Sequence, residues 1–211
     1  MTYAGVVEVG GPADVRELPD LVISKVAVGS TNNNAYLLRC RATDEQLLID
    51  AAAEPQTLLS LIGDSGIASV VTTHRHGDHW GALAEVLGAT GAHTYAGAYD
   101  TEGIPVPTDV PVADGDTLRV GRVELTARHL TGHTPGSIAL VYDDPHGHPH
   151  PRVSHVPAKP WTGGRVPPAG WPVPPAGPRV PLLRLPRPHC PQGDGEWHRR
   201  ARSPCPRPAG R

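Results

Sequence analysis

Residues 73–80 read Thr73-His74-Arg75-His76-Gly77-Asp78-His79-Trp80 and come just after the apolar run Ile67–Val71. Three histidines and one aspartate, His74, His76, Asp78 and His79, fall within six positions. The apolar run predicts a strand, and the loop after a strand spreads its side chains. His74 and His76, two apart, can then point the same way, while Asp78 and His79 turn toward a neighbouring point. Neutral imidazole and carboxylate are the ligand types Zn²⁺ takes in catalytic sites, where one position stays open for water. A polar loop that is histidine-rich by accident is the alternative, and four such residues at this spacing argue against it.

Three other stretches bear on this one. Leu47-Leu48-Ile49-Asp50 is an apolar run ending in a carboxylate, and Asn32–Leu38 is a run that begins with asparagine. Leu130-Thr131-Gly132-His133-Thr134-Pro135-Gly136-Ser137 presents a further histidine in a turn-rich segment. Together with His74–His79 they resemble the metallo-β-lactamase superfamily, the metallohydrolases with a His-x-His-x-Asp-His signature that include glyoxalase II. The resemblance runs from about Val22 to Asp144.

That resemblance implies an α+β fold, an αββα sandwich incomplete here in its second half. It implies that His74, His76 and His133 hold one zinc ion and that Asp78 and His79 help hold a second, iron being possible on the same ligands. Such cations acidify a water, so hydroxide is available near neutral pH to attack a carbonyl carbon. One metal polarises the carbonyl oxygen, and the oxyanion that develops is stabilised electrostatically. Asp78 would be catalytic as well as a ligand, orienting the nucleophile. The implied substrate is a small-molecule ester or thioester of the hydroxyacyl-glutathione type. Asp50 is either a group that orients a ligand histidine or simply a strand-end carboxylate. His93 and His129 lie in or beside strands and read as ordinary packing or surface histidines.

The resemblance then ends abruptly. Residues 1–144 carry 8 Lys+Arg against 19 Asp+Glu and 7 prolines. Residues 145–211 carry 11 Lys+Arg against 2 Asp+Glu and 18 prolines, with no Ile, Asn, Tyr, Phe or Met. The near-neutral whole therefore hides an acidic front and a basic tail. Proline at that density removes the backbone donors a sheet or helix interior needs, so the tail is expected to be disordered or extended. It could be a natural basic interaction arm, a rigid linker, or a segment translated out of frame. Pro, Arg, Gly, Ala and His make up 47 of its 67 residues, as a shifted frame in GC-rich DNA produces. Composition and the sudden loss of patterning after Ser137–Tyr142 favour the third.

Strands are expected at Leu21–Val28, Ala35–Arg39, Gln46–Ile49, Ile67–Thr72, His93–Tyr95, Thr117–Val120, Val123–Ala127 and Ser137–Tyr142. Turn pairs such as Asp114-Gly115 bound them. Short helices are expected at Pro55–Leu61 and Trp80–Leu87, where apolar residues recur at three-to-four spacing. Hairpins interleaved with helices fit sheet layers covered by helices. No apolar stretch approaches eighteen residues and no signal peptide is recognisable, so no membrane partner is expected and the cytoplasm is the expected location. Cys40, Cys190 and Cys205 have no metal-like spacing and imply no disulfide framework. Nucleic acid is not an expected partner, because only Trp161, Trp171 and Trp197 accompany the basic charge. The sequence carries no signal for an oligomeric state.

One departure from the family pattern qualifies the activity. The family supplies a bridging aspartate in a Gly-Asp pair on the strand after the third histidine, and a later histidine for the second metal. Here Pro151–Pro157 has no such pair, Asp143 and Asp144 come too early, and Gly193-Asp194 lacks strand residues around it. His155, His189 and His198 have nothing around them to position them as replacements. Two readings follow: an active zinc metallohydrolase, with a nonheme-iron dioxygenase as a minor variant, or a truncated or frameshifted, catalytically defective product that retains the first metal cluster.

Overall fold

The computed structural model describes residues 3–146 and the backbone of Arg152–Val153. The first seven strands form one sheet in chain order: β1 (Asp14–Glu17), β2 (Leu21–Val28), β3 (Asn33–Cys40), β4 (Gln46–Ile49), β5 (Ser69–Thr72), β6 (His93–Gly97) and β7 (Val110–Val112). The first four pair antiparallel, and β4 to β7 run parallel. A parallel neighbour needs a crossover, and helices α1 (Pro55–Ile62) and α2 (Leu83–Thr90) supply the two that follow β4 and β5. The second sheet runs β8 (Thr117–Val120), β9 (Val123–His129), β10 (Ile138–Val141) and β11 (Arg152–Val153), with neighbours antiparallel.

Alternation along the strands decides what each face buries. Leu38, Leu47 and Ile49 join Leu118, Leu125, Ile138 and Leu140 in a core between the two sheets. Their sequence neighbours Leu37 and Leu48 point the other way, into a second core with Leu58, Ile62, Leu83 and Val86 of the helices. The first sheet is thus covered on both faces, which is why Gln46–Ile49 is buried throughout. Helices, the seven-stranded sheet and the four-stranded sheet make three stacked layers. Among the described residues no helix covers the outer face of the second sheet, in keeping with the incomplete sandwich expected. The structure adds β1 and β7 to the strands read from sequence. It also places α2 three residues later than expected, because Gly77–His79 forms a 3₁₀ turn.

One expectation needs correcting. Proline density is expected to deny this segment's backbone to a sheet, yet Arg152 and Val153 pair with Val141 and Leu140, so the ladder takes in these two residues. Backbone pairing needs only an amide and a carbonyl, which side-chain patterning does not report. The other calls on the tail, including the disorder and His155, His189, Gly193, Asp194 and His198, lie outside the described residues.

The site is positioned by the parallel strands. Asp50 follows β4, Thr73 and His74 follow β5, and Asp100 lies just beyond β6, all at carboxyl ends of adjacent strands. Crevices outside such ends are where open α/β sheets bind ligands. The amide of Ile138 donates to the Thr73 carbonyl at 2.9 Å, which brings the start of β10 and the loop before it to the same place.

Candidate metal centre

His74, His76 and His133 come together although 57 residues separate the second from the third. One nitrogen of each lies within 4.8 Å of the others. His133 Nε2 stands 3.0 Å from His74 Nε2 and 3.1 Å from His76 Nδ1. Nitrogens held on one tetrahedral zinc at ~2.0–2.1 Å would lie roughly 3.3 Å apart, so the two separations involving His133 are close to those a shared ion would need. His74 is buried, whereas His76 and His133 are exposed, which leaves the group open on one side.

Hydrogen bonds fix which nitrogen of His74 faces the others. The Thr73 hydroxyl donates to Asp50 Oδ2 at 2.8 Å, so toward His74 Nδ1, 3.1 Å away, it can only accept. Nδ1 therefore carries the proton and Nε2 presents a bare lone pair to the cluster. The His74 pKa falls to about 3, first through burial and then through the neighbouring His79, His133 and His76. Burial, followed by His76 and His79, also lowers that of His133. Neutral imidazoles are what a metal requires. The donor set present fits a divalent ion such as zinc.

Asp78 and His79 stand beside this group rather than in it. His79 is buried with its ring centroid 4.0 Å from that of His74. Its Nδ1–H donates to Asp50 Oδ2 at 2.9 Å, which directs Nε2 away from Asp50. Burial alone would lower the His79 pKa, but the bond to Asp50 and the charges of Asp50 and Asp78 raise it. Asp78 is exposed, and the Asn33 side-chain amide donates to its Oδ2 at 3.0 Å and also to its backbone carbonyl. Although burial works in the opposite direction, the Asn33 bond and the nearby histidines lower the Asp78 pKa. Among the described residues no carboxylate joins the three histidines, and Asp144 instead accepts from the His146 amide.

Asp50 is thus an orienting carboxylate rather than a mere strand end, since it also accepts the Thr73 amide at 2.7 Å. His93 lies 3.6 Å from Asp109, and His129 faces the Pro135 carbonyl, so neither joins the cluster. Sequence reading passed over Asp100, which is fully buried. It accepts from the Arg75 amide at 3.1 Å, from the Gly136 amide at 2.9 Å and from the Thr134 hydroxyl. Nothing around Asp100 in the chain marks it, because its partners lie 25 to 36 residues away.

Comparison with known proteins bears on the same residues. The model of the family described as "Metallo-beta-lactamase superfamily" matches residues 28–147. A hydroxyacylglutathione hydrolase of Rhodospirillum rubrum is 37% identical over 123 residues, 58% of this chain and 47% of that protein. One from Cereibacter sphaeroides is 31% identical over 115 residues, 54% of this chain and 45% of its own. The chain spans about half the length of these curated relatives. The metallo-β-lactamase MIM-1 from Novosphingobium pentaromativorans superposes with a TM-score of 0.52 at 25% identity, covering 64% of this chain and 56% of its own. With more than half of its length matched by the family and a fold shared with MIM-1, the chain belongs to the metallo-β-lactamase superfamily.

Proposed function

We propose that this chain holds zinc on His74, His76 and His133 and is, by descent, a hydrolase of small ester or thioester substrates of the hydroxyacyl-glutathione type. The convergence of three imidazole nitrogens, with the His74 proton held on the far side by Thr73 and Asp50, carries the metal part of that reading. The hydroxyacylglutathione hydrolases among its relatives support the substrate class. Bound there, the ion would supply Lewis acidity toward a carbonyl oxygen and would acidify a water near neutral pH. Asp78, held by Asn33, would orient the attacking water and accept its hydrogen bond. Asp78 and His79 are the residues available for a second ion, with iron as an alternative to zinc.

A second reading is that the chain keeps the metal cluster but has lost catalytic competence. It rests on the absence, among the described residues, of a carboxylate joining the histidines, and on the change of composition after residue 144. Without such a carboxylate a pair of cations lacks charge compensation and a fixed separation. Assay of the zinc-loaded full chain with a lactoyl-glutathione type thioester separates the two readings. Zinc-dependent turnover lost in Asp78→Ala supports an active hydrolase, and zinc binding without turnover supports the defective product.

A further inference from the structure

We infer that Asp100 is a positioning residue for the metal centre, its carboxylate setting the loop that carries His133 against the loop that carries His74 and His76. This rests on the metal reading of those three histidines.

Two loops far apart in sequence must meet within a few tenths of an ångström for their nitrogens to share an ion. The ligand loops reach Asp100 through residues adjacent to the histidines. Arg75, between His74 and His76, donates its amide to Oδ2, and its guanidinium Nε lies 3.8 Å from Oδ1. Thr134, next to His133, donates its hydroxyl to the same Oδ2, and Gly136 donates its amide to Oδ1. Asp100 is itself clamped, donating its amide to the Gly97 carbonyl at 2.8 Å and accepting the Gly103 amide at 2.9 Å. Its carboxylate is therefore a fixed point to which both arms are tied, each by the residue beside a histidine. The approach is close: a Cβ on Gly136 would press on Cβ and Cγ of Asp100. Asparagine in its place would keep one accepting oxygen and turn an amide N–H₂ toward a donor, so one arm would swing away.

The test is zinc affinity of the full chain, measured by competition with a chromophoric chelator, alongside thermal unfolding of the metal-free protein. Asp100→Asn should bind zinc about 10–100-fold more weakly, the usual effect of removing a group that orients ligands. The visible spectrum of its cobalt form should change as well. Thr134→Val, which removes the hydroxyl's bonds to Asp100 and Ser137 and tests the same link if Asp100→Asn does not fold, should lose affinity by a smaller factor. Asp109→Asn alters an exposed carboxylate that likewise ties two groups, the Thr94 amide and hydroxyl, away from the site, and should leave affinity unchanged. Wild-type affinity in Asp100→Asn, or in Thr134→Val if the former does not fold, would overturn the positioning role. So would an equal loss in Asp109→Asn. A wild-type chain that takes up no metal overturns the metal centre itself and the role of Asp100 with it.

Discussion

Asp50 Oδ2 lies 2.9 Å from His79 Nδ1, with both side chains buried. The same carboxylate takes the amide and the hydroxyl of Thr73 and through that hydroxyl sets the tautomer of His74. One strand-end aspartate thereby orients a histidine of the proposed first site and a histidine beside it. Asp50→Ala should leave the Thr73 amide and the His79 Nδ1–H buried without an acceptor, at about 1–3 kcal/mol each. Denaturant unfolding of the metal-free protein should show a loss of that order, and an unchanged midpoint would contradict the role given to Asp50.

Gly97 and Gly136 approach so closely that a Cβ on Gly97 would overlap the Gly136 carbonyl and touch Ile138 Cγ2 at 3.1 Å. Gly97→Ala should cost about 1–3 kcal/mol through overpacking and displace the 130–136 loop. Both the melting temperature and the zinc affinity should fall. Loss of stability with affinity intact would mean that the loop adjusts without moving His133.

Tyr36 ionises late, its pKa pushed up to about 12 chiefly by burial and then by the charges of Tyr3 and Asp50. The unfolded chain gives up the same proton near the ordinary value of about 10, so above that pH the unfolded state binds fewer protons. The contribution is intact below about 10 and is lost as pH rises through about 12. Unfolding midpoints followed across that alkaline range should fall less steeply in Tyr36→Phe than in the wild type. Parallel curves would remove Tyr36 from the alkaline transition.

Legibility in the sequence followed the reach of each signal. Leu21–Val28, Gln46–Ile49 and Thr117–Val120 have the bounds read from β-branched patterning, because burial of those faces sets both. Asp14–Glu17 is an edge strand of half-exposed and exposed residues, so no apolar alternation announces it. Val110–Val112 contains Pro111, which an edge strand tolerates and a central one does not. The start of α2 was misplaced because apolar spacing does not report the 3₁₀ turn at Gly77–His79 that precedes it. His74, His76 and His133 were readable from ligand type and a family resemblance. Asp100 was not, since a buried carboxylate shows its purpose only when the loops it ties are seen together.

The origin of the proline-rich segment can be read from DNA. If the frame shifts between Tyr142 and about Pro151, another frame downstream should encode an apolar run ending in Gly-Asp and, later, a histidine. A chain rebuilt in that frame should hydrolyse the thioester far faster than this one, because a bridging carboxylate adds both metal affinity and placement of the nucleophile. Absence of those residues from both alternative frames would make the segment native.

The metal content of the purified full-length chain is the most direct measurement, taken beside a His74→Ala/His76→Ala variant prepared identically. Roughly one zinc ion per wild-type chain, and almost none in the variant, is the result expected from three convergent imidazoles. Equal zinc in both proteins, or none in either, would contradict the metal centre.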